Sequence, residues 1–398
     1  MAERGMATLA VHAGRAPARS DYTPICTPIH NAVTYTYDDM RTLDAVFSGD
    51  RPGYVYSRFG NPTVAALEAA IAQLEGTEGA LACASGMAAV HLGLIAAGAS
   101  PGSTVVAAQD IYGGTHSLLS GVFAGRGVQF RTLDMTNLDA VAQAMAETRP
   151  AVMFVETISN PLLKVVDIPA LAQLAHGAGA QLIVDNTFAT PSLYRPALHG
   201  ADYVVHSATK YLGGHGDVVG GLIAANAEKC RAARELQKLV GSVLGPNEAF
   251  LILRGLKTLV LRMRQQSGNA LVVARFLESH PRVSRVYYPG LETHPQFILC
   301  RQLFAANLYG GMVSLEIKDV SEEQVFDFMD ALQLIVPGTS LGDVTSLILY
   351  PAHSSHRSLT EQERKRLGIT AGLVRLSVGI EEASDIIADL AQALDAIT

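Results

Sequence analysis

The sequence predicts an α/β protein: a mostly parallel sheet covered by helices in a large domain, then a smaller α+β region. Three observations carry that expectation. Between residues 79 and 206, short β-branched apolar runs alternate with stretches of helical periodicity, the pattern of a parallel sheet wrapped by helices. Several of those runs are apolar throughout rather than alternating, as strands buried on both faces require. At 398 residues the chain also exceeds one ordinary core, so it should divide into more than one domain.

Taken in order, residues 1–60 have little periodicity and are interrupted by Pro17, Pro24, Pro28 and Pro52. So long an irregular stretch is unusual inside a compact domain. An arm lying on a neighbouring subunit explains it better, with Tyr35, Tyr37, Phe47, Tyr54, Tyr56 and Phe59 as contact residues. Tyr56 and Arg58 stand two residues apart, on one side of an extended stretch. Arg58 is either a bidentate phosphate ligand or a plain loop arginine. Pro62 to Glu75 reads as a helix with proline in its first turn.

Gly79 to Ala84 is a strand, Ser85-Gly86-Met87 a small-residue turn, and Ala88 to Ala97 an apolar helix. A strand, tight turn and helix N-terminus can hold an anion on free backbone N–H groups. The next strand, Ser103 to Ala107, leads to Tyr112-Gly113-Gly114, where the tyrosine either stacks on a flat ring or packs internally. Strands at 127–133, 151–156, 181–185 and 203–206 alternate with helices at 138–147 and 168–176. Asn160 follows one strand end and faces the presumed crevice. Ligands in open α/β sheets sit beyond the carboxyl ends of the strands.

The fourth of these strands runs into Ser207-Ala-Thr209-Lys210 and a glycine-rich loop ending at Gly216. Ser207 and Thr209 can bind an anion, and Lys210 is either its counter-charge or an amine nucleophile. Twenty-five residues upstream, Asp185 ends an apolar strand, where an acid needs a cationic partner. One lysine for an aldehyde and one acid for a ring nitrogen are the minimum set for pyridoxal phosphate (PLP).

Beyond this loop we expect a strand at 218–224 and helices at 228–240, 249–264 and 266–279. Composition shifts near residue 257, so the expected divisions are an arm at 1–60, a large domain at 61–257 and a C-terminal domain at 258–398. In the last of these we expect strands at 312–317 and 374–378, with helices at 322–332 and 383–397. Thr339-Ser340-Leu341-Gly342 forms a candidate ligand loop. Arg375, inside an apolar strand, needs an anion: a substrate carboxylate or one of the chain's own acids. His353 and His356 lack the acid or cysteine that would complete a metal set, and no metal site is expected.

The hydrophobic fraction of 49% and the charged fraction of 17% suit a well-buried enzyme and favour an oligomer. Net charge −7 and pI ≈ 5.9 argue against a nucleic-acid partner. The four dispersed cysteines read as reduced thiols, and residues 79–109 are broken by glycine and proline into pieces too short to span a bilayer. A cytoplasmic location is expected. No GxGxxG or Walker A follows any strand, which weighs against a nucleotide-binding protein.

With Tyr56-Ser-Arg58, Ser85-Gly86-Met87, Tyr112-Gly-Gly, Asp185-Asn186, Ser207-Ala-Thr-Lys210-Tyr, Ser340-Leu-Gly and Arg375-Leu-Ser-Val-Gly in order, the sequence resembles the Cys/Met-metabolism family of PLP enzymes, fold type I. The resemblance implies a seven-stranded sheet, Lys210 as the Schiff-base lysine, Asp185 on the pyridinium nitrogen and Tyr112 on the ring. It implies phosphate on Gly86, Met87, Ser207 and Thr209, with Tyr56 and Arg58 from a neighbouring subunit of a homotetramer. Substrate carboxylate would meet Asn160, Ser340 and Arg375. Within the family the pattern is most similar to the methionine γ-lyases. That implies γ-elimination on methionine or homocysteine, with Lys210 moving the α-proton and Tyr112 as acid to the leaving group. The alternatives are γ-replacement on an acylated homoserine and cystathionine γ-lyase or γ-synthase chemistry. Two positions depart from pattern: Gly114 stands where methionine γ-lyases usually carry cysteine, and Thr339 where cystathionine enzymes usually carry glutamate.

Overall fold

A computed structural model describes residues 5–14, 24–354, 357 and 360–397. Seven strands form the larger sheet: β1 (Gly79–Cys83), β2 (Thr104–Ala108), β3 (Gln129–Leu133), β4 (Val152–Glu156), β5 (Gln181–Asp185), β6 (Tyr203–Ser207) and β7 (Gly221–Ala225). Their order is β1-β7-β6-β5-β4-β2-β3. The run from β6 to β3 is parallel, and β7 lies antiparallel to both its neighbours. The mostly parallel sheet is therefore as expected, with strand ends within a few residues of those read from the pattern.

Burial follows composition. The apolar runs at the centres of β4, β6 and β7 are enclosed on both faces, whereas β3, with Gln129, Arg131 and Thr132, is a partly exposed edge. Helix Pro62–Glu75 begins where Asn61 accepts the Thr63 N–H at 2.9 Å and stops at Gly76, whose φ of 74° suits glycine. Residues 79–109 fold as strand, helix and strand. Among the described residues no helix is long and apolar enough to cross a membrane.

A second sheet comprises β8 (Val283–Tyr287), β9 (Met312–Ile317), β10 (Val336–Pro337), β11 (Leu347–Leu349) and β12 (Leu373–Ser377), in the order β10-β11-β12-β9-β8. Helices Leu259–Ser279 and Ala383–Ala396 pack together beside it.

Two features depart from the sequence reading. The first 60 residues are not wholly irregular: helices Met6–His12 and Met40–Phe47 occur there, the second capped by Asp39, which accepts the Thr42 N–H at 2.8 Å. The helix expected to run from 249 to 264 is instead two, Pro246–Leu256 and Leu259–Ser279. The break has a cause. A Cβ on Gly255 would lie 2.2 Å from the Gly213 carbonyl oxygen, so the first helix ends directly against the loop after Lys210. Buried Arg262 then binds both sides of that contact, donating at 2.8 Å to the carbonyls of Tyr211 and Gly255. Burial holds its guanidinium down to about 10.

Candidate active site

Beyond the carboxyl ends of β4, β5 and β6 lies a cavity of about 490 Å³, where the strand order of an open α/β sheet places ligands. Glu156, Asp185 and Ser207, the last residues of those strands, line it. Gly86, Met87, Tyr112, Asn160, Thr209, Lys210 and Arg375 line it as well. Residues as far apart in the chain as Gly86 and Arg375 thus meet in one space.

One end is built for an anion. Ser85 caps helix Gly86–Ala96, its hydroxyl accepting the Ala88 N–H at 3.1 Å, and the first N–H groups of that turn have no partner within the helix. The turn rests on β6. A Cβ on Gly86 would lie 2.8 Å from Ser207 Cβ and 3.0 Å from its Oγ, so only glycine fits. Thr187 Oγ1 accepts the Ser207 N–H at 2.8 Å, and Thr209 Oγ1 accepts the Gly220 N–H at 3.0 Å. Backbone donors and hydroxyls from three segments converge there.

Lys210 follows within one turn of β6, and its Nζ donates to Ser340 Oγ at 2.9 Å. Burial first and the Arg375 charge second bring its ammonium down to about 8. A fraction of it is therefore free amine near neutral pH.

Asp185 accepts the Thr187 N–H at 2.9 Å. Burial raises its carboxyl, against the lowering effect of the Thr187 hydrogen bonds and the His206 charge. Glu156, which sequence reading did not single out, is the register partner of Asp185 on β4. Its Oε1 accepts the Tyr112 N–H at 2.6 Å, and burial, then Asp185, hold it well above the usual carboxylate range. The signal was present: both apolar runs end in an acid, and parallel register aligns the two ends.

On the reverse face, residues one position away from this floor are tied together. Thr157 Oγ1 donates to Asn186 Oδ1 at 2.8 Å, and Asn186 Nδ2 donates to the Tyr194 carbonyl at 2.9 Å and to Glu75 Oε1 at 3.1 Å. The same Glu75 oxygen lies 2.6 Å from His206 Nε2, with both side chains fully buried.

Arg375, on β12, is 3% exposed. It donates from Nη1 to Asn160 Oδ1 at 2.8 Å and from Nη2 to the Ser340 carbonyl at 3.4 Å, and its Nε has no partner among the described residues. Among the described residues no carboxylate pairs with it, so the alternative of an internal ion pair is not what the fold contains. Burial lowers its guanidinium to about 10.

Tyr56 and Arg58 lie elsewhere. Neither lines the cavity; the Arg58 guanidinium sits 4.7 Å from the Phe59 ring centre and donates to the Lys238 carbonyl. His353 pairs with Glu322 at 3.1 Å and stacks on Tyr350 at 4.9 Å. His356 falls outside the described residues.

The donor set fits pyridoxal phosphate. An anion cradle, a partly deprotonated amine and a half-buried acid with room for a cation share one cavity, and an arginine with no carboxylate partner among the described residues faces it. The chain matches the Cys/Met metabolism PLP-dependent enzyme family over residues 7–395. It is 42% identical to an L-methionine gamma-lyase of Fusobacterium nucleatum subsp. polymorphum, over 99% of this chain and 98% of that protein. It is 43% identical to a cystathionine beta-lyase of Lactococcus lactis subsp. cremoris, strain MG1363, over 93% and 94%. A Campylobacter jejuni protein assigned as an O-acetylhomoserine (thiol)-lyase, solved with N'-pyridoxyl-lysine-5'-monophosphate, superposes with a TM-score of 0.91 at 33% identity, over 98% of this chain and 100% of that one. Cavity, fold and full-length similarity lead to one conclusion: the chain belongs to the Cys/Met metabolism PLP-dependent enzymes, of fold type I.

Proposed function

We propose that this enzyme is a methionine γ-lyase, releasing a thiol, 2-oxobutanoate and ammonia from L-methionine or homocysteine. The coarser activity, elimination or replacement on sulfur amino acids, comes with the family. The observation behind the finer reading is the wall around Thr339. Among the described residues the cavity's carboxylates are Glu156 and Asp185, both at the strand ends, while Thr339, Leu341, Leu349 and Ile158 bring no charge. An uncharged thioether suits such a wall; the distal ammonium of cystathionine would be desolvated there without a partner.

In this reading Gly86, Met87, Ser207 and Thr209 hold the cofactor phosphate, and Asp185 holds a positive charge at the ring nitrogen. When bound, PLP supplies an aldehyde that captures amines and a ring that takes up electrons from the substrate's α-carbon. Lys210 provides the amine for that aldehyde and, once released, moves the proton at the α-carbon. Its lowered proton affinity suits both tasks. Arg375 and Asn160, with the Ser340 loop, orient the substrate carboxylate. The Tyr112 phenol gives a proton to the departing sulfur.

The reading extends to the assembly. Tyr56 and Arg58 reach a neighbour's phosphate site in a cytoplasmic homotetramer, residues 1–60 serve as the intersubunit arm, and the large domain passes to the C-terminal one near residue 257. Exposure of Met40, Phe47 and Tyr56 on the arm supports this.

One observation favours γ-replacement on an acylated homoserine instead. A Cβ at Gly114 would lie 2.5 Å from Tyr112 Cε1, so the tyrosine ring lies across a position that methionine γ-lyases usually fill. The test is direct: incubate the purified enzyme with L-methionine, L-cystathionine, or O-acetylhomoserine plus sulfide, and measure 2-oxobutanoate and homocysteine. 2-Oxobutanoate from methionine alone supports the lyase. Inert methionine with homocysteine formed from the third mixture establishes replacement and overturns our reading.

A further inference from the structure

Glu156 is a buried carboxyl that the mechanism above does not use. Its place follows from register. β4 and β5 are parallel, Glu156 is aligned with Asp185, and partners in a parallel pair put their side chains on one face of strands about 4.8 Å apart. Both line the cavity. Two carboxylates so placed repel each other, and the burial of Glu156, 6% exposed, adds to the cost of ionising both.

The charges around Glu156 are unequal to that. From β5 it faces Asp185, and from the loop after β2 it faces Asp110, two further carboxyl groups that both oppose its ionisation. The cation nearest Asp110 is Lys164, 3.7 Å away, and it also binds Asp134 at 2.9 Å. What reaches Glu156 directly is neutral: the Tyr112 N–H at 2.6 Å, with the Asn160 backbone also close by. These contacts belong to two segments that matter. Tyr112 begins the short helix Gly113–Ser117, and Asn160 holds Arg375 at 2.8 Å.

We propose that Glu156 is a positioning residue that works as a neutral, protonated carboxyl. It ties the Tyr112 turn and the Asn160 loop to the end of β4, and by staying uncharged it leaves Asp185 as the anion of the cavity floor. A second anion beside Asp185 would divide the attraction for a ring cation and repel a substrate carboxylate on its way to Arg375. The kinetic part of this inference rests on the proposed reading of the cavity; the protonation state does not.

The first test therefore uses cofactor-free protein. An infrared difference spectrum of wild type minus Glu156→Gln at pH 7 should contain the carbonyl band of a protonated carboxyl. A carboxylate band in its place overturns the proposal, whatever the enzyme's reaction proves to be. If Glu156→Gln does not fold, the pH dependence of that band in Asp185→Asn serves instead. Without the neighbouring anion the band should titrate away at least tenfold higher proton concentration, and an unmoved titration overturns the proposal.

The second test uses the PLP-loaded enzyme. Glu156→Ala should raise KM for the amino acid about tenfold, the effect of one lost anchor of about 1.4 kcal/mol. Glu156→Gln should recover most of that loss and retain the wild-type pH profile of kcat/KM. Equal impairment of both variants would overturn the neutral role. No PLP band in any variant, wild type included, would instead refute the reading of the cavity while leaving the infrared result standing.

Discussion

Replacing Arg375 with methionine should stabilise the cofactor-free protein while removing its activity. The side chain is buried, has no carboxylate partner among the described residues, and burial lowers it to about 10. Relative to the ordinary guanidinium, that is a penalty of about 3 kcal/mol on the charged form, at 1.36 kcal/mol per pH unit. The sign follows from linkage. A base whose folded pKa is depressed costs stability wherever it is protonated in both states, and the cost is relieved only as pH rises through about 10. It is therefore present in full at neutral pH. Against it stand the bonds to Asn160 Oδ1 and the Ser340 carbonyl, whose loss leaves two acceptors unpaired at about 1 kcal/mol each. Arg375→Met should then be more stable by about 1 kcal/mol in urea denaturation monitored by circular dichroism. Two charge-assisted bonds to a substrate carboxylate are worth about 3–6 kcal/mol together, so kcat/KM should fall by about 10²–10⁴. Destabilisation by several kcal/mol would refute the reasoning, because it would mean that the guanidinium neutralises an internal anion.

Three further outcomes can be checked. Lys210 lies near 8, so loading of PLP onto the cofactor-free enzyme, followed by its visible band, should quicken as pH rises through about 8 and be absent in Lys210→Ala; an inflection near 10 would show that burial does not act on this amine. Gly86→Ala forces a Cβ to within 2.8 Å of Ser207 Cβ, and should weaken PLP binding about 10- to 100-fold by equilibrium dialysis and lower stability by about 1–3 kcal/mol. Glu75→Ala removes the buried hydrogen-bond partner of His206 and should cost about 1–3 kcal/mol of stability, part of which Glu75→Ala/His206→Phe should restore; additive losses in the double variant would show that the pair is not coupled.

The large sheet was legible because its strands are short, apolar and bounded by glycine, proline and capping residues. Gln181 to Asp185 was read to the residue, and helix Pro62–Glu75 was delimited by a proline and a glycine. The break at Lys257–Thr258 was hidden because both helices continue one periodic pattern; it lies just after Gly255, where the first helix packs against the loop following Lys210. Glu156 was overlooked for a related reason. An acid at a strand end is ordinary until register sets it beside another.

Residue type and order alone specified an α/β sheet with ligand loops at its carboxyl edge, a lysine–aspartate pair suited to PLP, and an arginine in a strand too apolar to leave it unexplained. These are local properties of periodicity, turn chemistry and the cost of burying charge. Tertiary structure alone decided whether Arg375 meets an internal acid, how far Lys210 gives up its proton, and that Glu156 faces Asp185. Each depends on which groups from distant segments share one cavity, and Coulomb energies there vary with separation and burial rather than with distance along the chain.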